Sequence, residues 1–297
     1  MTQRVTQSML NTQLLRNLNS NMNRMDNLQN QLATGRRINK PSDDPVGISF
    51  SLRYRSELAA NDQYQRNVDS SVSWLDYTDT MLDQVGQVMQ RARELAVLGS
   101  NGTNSEESLN SVKIEIDQLA DQMFTIANSN FNGKYVFNGQ KTDVKPYPEL
   151  ATAADVEVNK GPIQFEIGVG VKLTINKTGD EVFGEGDTSI FKILSDMSES
   201  LGKKNYSAIQ ASIGKIDESM NNLLAMRADI GAKTNRIQLA EDRLKDIGIN
   251  LQSLQSKTED ADMSIVITNL KMNENVYQAS LSAGSKLIQP TLIDFLR

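Results

Sequence analysis

Cysteine and histidine are both absent from the 297 residues. Together these absences remove disulfide frameworks, thiolate metal sites, CxxC redox chemistry, and Ser-His-Asp or Cys-His catalysis. Aromatic residues are scarce at 5%, so a core has to be filled by Leu, Ile, Val, Met and Ala instead of rings. The six prolines cluster, with none between Pro45 and Pro146 or between Pro162 and Pro290, which leaves room for long uninterrupted helices. No run of about 18 apolar residues occurs, nor the apolar stretch of a secretory signal, so neither a membrane span nor a cleaved signal is expected. A formal charge of −6 argues against a nucleic-acid binder, which would carry a basic face. Acidic residues are missing from the start: the first is Asp26, after Arg4, Arg16 and Arg24.

What is present is periodicity. Val5, Met9, Leu15, Leu18, Met22, Met25 and Leu32 recur at three- and four-residue steps or their sums, a thin apolar stripe on a helix that ends near Gly35. A polar connector, Arg36 to Ser42, leads to Asp44-Pro45, where the carboxylate suits the orphan amides of a first turn and proline needs no donor. A long helix is predicted to follow, since Val68, Leu75, Leu82, Met89 and Ala96 fall every seven residues, until Gly99 and Asn101-Gly102 end it. Thr103 and Glu106 stand in capping-box register for a shorter helix. The period then becomes alternating: Asn132-Gly133 and Asn138-Gly139 bracket Tyr135-Val136-Phe137, and Ile163 to Ile175 alternate, so 131–186 reads as β structure with loops. Helices resume at Ile190. Ile230, Ile237, Leu244, Leu251, Thr258, Ile265 and Met272 are again spaced by sevens, which predicts one unbroken helix across them.

Isolated motifs carry little chemistry. Gly168-Val169-Gly170 lacks the following helix of a phosphate cradle and reads as strand or turn. Asp43-Asp44 beside Pro45 reads as a helix cap rather than an acid-base pair. Arg36, Arg37 and Lys40 form a small basic cluster, open to solvation or to an acidic partner. No catalytic residue, cofactor or metal is expected, and the chain is not read as an enzyme.

The run from Leu32 to Gly47, with Gly35, Arg37, Ile38, Asn39, Pro41, Ser42, Asp43, Asp44 and Pro45 at its centre, resembles the N-terminal signature of the flagellin superfamily. Tyr135-Val136-Phe137-Asn138-Gly139 through Tyr147 is similar to that family's passage into its outer domain, and Asp260-Ala261-Asp262-Met263 through Leu292 to Leu296 to its C-terminus. The Pro-Ser-Asp-Asp-Pro form resembles the subunits of the hook-filament junction more than flagellins of the filament.

The resemblance implies a mainly α fold with an inserted β domain, long antiparallel helices, and a coiled coil formed by both chain ends. Its expected division is a terminal coiled coil (1–40 with 265–297), a helical domain with a β-hairpin (41–140 with 187–264) and an outer β domain (141–186). It further implies an extracellular adaptor ring of the bacterial flagellum, made of copies of this chain, between hook-associated protein 1 and flagellin. Export through the flagellar type III apparatus without a cleaved signal, after a chaperone has engaged the C-terminal helix, belongs to the same expectation. The assembly interface is placed on Val5, Met9, Leu15, Leu18, Met22 and Met25 with Ile265, Met272, Val276 and Leu287, the two sets pairing in the terminal domain. A short flagellin that builds the filament, a cytoplasmic coiled-coil scaffold and a carboxylate-based hydrolase are the alternatives. The weakly apolar ends are expected to order only on assembly; slow amide exchange at both ends of the purified monomer would overturn this.

Overall fold

The computed structural model describes residues 7–288, and the side chains of residues 9–285. Seven helices carry these residues: α1 (Gln7–Thr34), α2 (Pro45–Gly99), α3 (Glu106–Ala127), α4 (Gly179–Phe183), α5 (Ile190–Gly202), α6 (Tyr206–Glu259) and α7 (Met263–Ile288). Two antiparallel hairpins stand between α3 and α4: β1 (Asn130–Phe131) with β2 (Lys134–Tyr135), and β3 (Gln164–Gly168) with β4 (Val171–Thr174). The chain divides into two compact units, residues 1–60 with 247–297, and residues 61–246.

The second unit is built on heptad stations. Val68, Leu75, Leu82, Met89 and Ala96 of α2 are all buried, as are Ile209, Ile216, Leu223, Ile230 and Ile237 of α6. The two helices run antiparallel, because Arg227 reaches Asp79 (3.0 Å) and Asp83 (2.7 Å) while Arg93 reaches Asp217 (2.6 Å). Those partly exposed ion pairs set register and add little stability; the buried aliphatic stations supply it. Helix α3 packs on α5, where Ser198 Oγ donates to Asp117 at 2.5 Å. Its N-cap is Ser105, which accepts from Ser108 N–H, and Thr103 is instead drawn to Asn101. The cap thus moves two residues along because Asn101 satisfies the hydroxyl in the preceding loop.

Both short hairpins follow from turn chemistry. Asn132 and Gly133 have φ of +50° and +81° and join β1 to β2 in a two-residue turn. Val136 and Phe137 then enter the core, and Phe137 meets Phe183 edge-on at 5.3 Å. Asn138 donates to Val144 O and accepts from Asn159 N–H, locking the passage into the outer segment. Gly139 is obligatory there: its φ is +51°, and a Cβ would lie 2.2 Å from Asn159 O. Ile167 and Leu173 of the second hairpin and Ile175 beyond it are buried, whereas Val169 sits exposed at the turn between Gly168 and Gly170.

Helices α1 and α7 of the first unit pack together, as expected of the chain ends, with Leu18 and Met25 of the expected set turned inward and most of the others outward. Val266 and Leu270 are buried, Leu14, Leu18, Met25, Leu28 and Tyr277 are half-buried, and Leu14 lies over Gly284, where a Cβ would come within 2.6 Å of its Cδ2. Met9, Leu15, Met22, Ile265, Met272 and Val276 are at least 45% exposed, so they do not pair with each other inside the chain. Val5 lies outside the described residues, and so does the side chain of Leu287. The physical reason is a phase shift: α6 ends at Glu259 and α7 begins at Met263 instead of running on as one helix, and the buried stations after the break are displaced by one residue.

The single tryptophan, Trp74, is buried in the second unit and reports on its unfolding. Denaturation followed by its fluorescence is expected to show Gly139→Ala destabilised by about 3 kcal/mol, combining left-handed strain with overpacking. Leu82→Ala, which empties a fully buried site, is expected to lose about 3 kcal/mol in the same measurement.

Candidate functional site

The connector between α1 and α2 holds the residues of the first sequence signature. Gly35, at φ +70°, ends α1 and donates its N–H to Gln31 O at 2.9 Å, a left-handed stop that costs any other residue about 1 kcal/mol. Arg36 then forms an antiparallel bridge with Asp260. Arg37 donates its backbone N–H to Glu259 O at 2.6 Å and its guanidinium to Thr258 O at 3.0 Å, while Gly35 O accepts from Ala261 N–H at 3.0 Å. Asn39 and Lys40 both donate backbone N–H to Asp43 Oδ2, at 3.0 and 2.8 Å, around a turn in which Asp43 N–H returns to Lys40 O. Pro41, second in that turn, supplies the φ it needs, and Ser42 follows it on the exposed side. The backbone N–H groups of Lys40 and then Asn39 hold the Asp43 carboxyl below its ordinary value.

Asp44 caps α2, accepting from Gly47 N–H at 2.8 Å, with Pro45 as the first helical residue. Ile38 is the one connector side chain in the core, and it is seated against Gly47, where a Cβ would lie 2.6 Å from Ile38 Cδ1. The paired aspartates are therefore two caps, one for the turn and one for the helix.

Beneath the connector lies a buried carboxylate that sequence reasoning missed. The Glu259 side chain is 1% exposed. It accepts from Arg55 Nε at 2.7 Å and Nη2 at 2.6 Å, from Gln255 Nε2 at 3.3 Å and from Ser51 Oγ, with Arg36 Nε 3.5 Å away. The Arg55 hydrogen bonds, helped by Ser51 and Gln255 and opposed by burial, push its carboxyl down to about 2. Ser51 and Arg55 follow Gly47 at four-residue steps on α2, so one face of that helix serves the carboxylate. The available signal was the basic cluster itself: Arg36 and Arg37 find their acids, Glu259 and Asp44, within the chain.

The second element of the site is the outer face of the α1 and α7 pair. Leu15, Met22, Ile265, Met272 and Val276, together with Leu10, Ile267 and Leu281, are exposed. On α7, Ile265, Met272 and Val276 lie along one flank of the buried stations Val266 and Leu270, and Ile267 and Leu281 along the other. Among the described residues, no group of three or more Asp, Glu, His or Cys side chains is arranged to hold a metal, and no helix is long and apolar enough to cross a membrane.

Residues 5–142 match the bacterial flagellin N-terminal helical region, and residues 213–296 the bacterial flagellin C-terminal helical region. The chain is similar to flagellar hook-associated protein 3 of Escherichia coli strain K12, at 26% identity over 85% of this chain and 87% of that protein. It is also similar to the flagellar filament 30.7 kDa core protein of Treponema maltophilum, at 28% identity over 85% of this chain and 84% of that one. In fold it resembles a putative flagellar hook-associated protein from Vibrio parahaemolyticus, with a TM-score of 0.69 and 23% identity over 73% of this chain and all of that structure.

The lowered Glu259 value sets an acid limit. Its pairing contributes fully above pH 4.5, the ordinary glutamate value, and is lost as pH falls toward about 2. Glu259→Gln is expected to remove about 3 kcal/mol at pH 7. Calorimetric melting of the two proteins should show the difference shrinking from pH 4.5 downward; a difference independent of pH would contradict the assignment.

Proposed function

We propose, since the chain belongs to the bacterial flagellin family, that it is a structural subunit of the flagellum that joins the hook to the flagellin filament. The observation that carries the reading is the uncovered apolar stripe on the paired terminal helices: Leu15, Met22, Ile265, Met272 and Val276 face outward. Exposed apolar surface at both chain ends has to be covered by neighbouring molecules, and copies of the same chain in a ring offer the matching surface. Heterologous contacts that rise along a helix give such a ring two different faces, one below and one above. Hook-associated protein 1 is the neighbour on the hook side and flagellin on the filament side. The subunit works mechanically, outside the cell, after export by the flagellar type III apparatus and release from a chaperone.

The proline in the connector turn, Pro41, and the similarity to flagellar hook-associated protein 3 support a junction subunit. A short flagellin is the second reading, supported by the similarity to the Treponema filament core protein. Deleting the gene separates them. Electron microscopy should show bare hooks, with flagellin lost unpolymerised to the medium; hooks with no flagellin made would make this chain the filament subunit, and normal filaments would remove both readings.

Substituting the outward stripe tests the assembly surface. Met22→Asp and Met272→Asp replace side chains exposed by 51% and 57%, so each is expected to change monomer stability by less than about 0.5 kcal/mol. Motility and recovery of the subunit in isolated hooks should nevertheless drop sharply. Unchanged recovery would place the interface elsewhere.

A further inference from the structure

The break between α6 and α7 is not made by a helix-breaking residue. Residues 256–264 contain neither glycine nor proline, and the heptad spacing from Ile230 to Met272 passes through them in phase. Five of the backbone groups whose helical hydrogen bonds would cross the break have a specific substitute partner instead. In a continuous helix Thr258 O and Glu259 O would accept from Asp262 and Met263 N–H; both accept from Arg37, through its guanidinium at 3.0 Å and its backbone N–H at 2.6 Å. Ala261 N–H would donate to Lys257 O and donates instead to Gly35 O at 3.0 Å. Ser264 and Ile265 N–H would donate to Asp260 and Ala261 O and donate instead to Asp262 Oδ1, at 2.9 and 3.2 Å. On either side the ordinary helical pattern is intact, with Asp260 N–H on Ser256 O and Val266 N–H on Asp262 O, both 2.9 Å.

We propose that residues 259–262 are a helix switch held open by the connector. With Gly35 to Arg37 docked, the helix is broken and α7 turns Val266 and Leu270 toward α1. With the connector released, the same backbone groups pair with each other, α6 and α7 fuse into one helix, and Ile265 and Met272 fall into line with Ile237, Leu244 and Leu251. One residue of phase is a rotation of about 100°, so the switch decides which stripe of α7 meets α1 and which faces a neighbour. The buried Glu259 is the catch, since through it Arg55 and Ser51 hold the end of α6 against the start of α2 and Arg36 ties it to the connector. Thr258 O, Glu259 O and the N–H groups of Ala261, Ser264 and Ile265 have partners in both arrangements, and this makes the element two-state instead of merely frayed.

The test uses the full-length protein with 13C-labelled alanine, the Ala261 Cα resonance being assigned by its loss in Ala261→Ser. In the double variant Arg37→Ala, Glu259→Gln this resonance is expected to move to the helical position, with far-ultraviolet helicity undiminished. Asp262→Ala, which removes the cap of α7 and leaves the connector intact, should move it in the same direction by a smaller fraction. An Ala261 signal that is the same in wild type and variants overturns the proposal. So does a shift to the random-coil position with loss of helicity, which would mean that the connector merely supports α7. None of these readings depends on flagellar assembly, so the proposal fails or stands separately from the junction role.

Discussion

A carboxylate that is 1% exposed survives in a protein only when its charge and its lone pairs are all met, and around Glu259 they are. The fork of Arg55 takes both oxygens, Ser51 and Gln255 add donors to Oε1, and the Arg36 guanidinium stands 3.5 Å from Oε2. Replacing such a group by an apolar pair often leaves stability unchanged, so its presence is better read as a device for specifying one arrangement. Here the arrangement specified is the junction of three segments: the end of α6, the start of α2 and the connector that follows α1. The connector has a single buried apolar side chain, Ile38, and could not hold its path on hydrophobic burial alone. Its polar ties converge on residues 258–261.

That constraint has a consequence for the surface. Because the break shifts the phase of α7 by one residue, the side chains that a continuous heptad would bury are turned outward. A subunit of a polymer needs apolar surface that its own fold leaves uncovered, and a phase shift provides it without any change in composition. Helix α7 thereby carries an inner stripe that closes the pair and exposed apolar side chains left for neighbours.

The second unit follows its sequence closely. Its heptad stations are buried one after another, and the Asn132-Gly133 and Asn138-Gly139 pairs sit at turns with positive φ. These features are local: periodicity selects a helix face, and glycine marks a backbone conformation other residues resist. The first signature was legible in the same way, since Asp44 and Pro45 suit the cap and first position of a helix, and Asp43 caps the turn beside it.

What the sequence alone determined was therefore the class of the fold, the buried face of the long helices in the second unit, the position of the turns, and membership of a family whose chain ends pair. What only the tertiary structure decided was where the last helix breaks, and hence which methionines and isoleucines face inward. Residues 36 and 37 lie more than 200 positions from Glu259, and no local rule connects them. The partner that ends α6 is a backbone amide and a guanidinium supplied by the far end of the chain, and spacing along the sequence carries no record of a hydrogen bond formed only when distant segments meet.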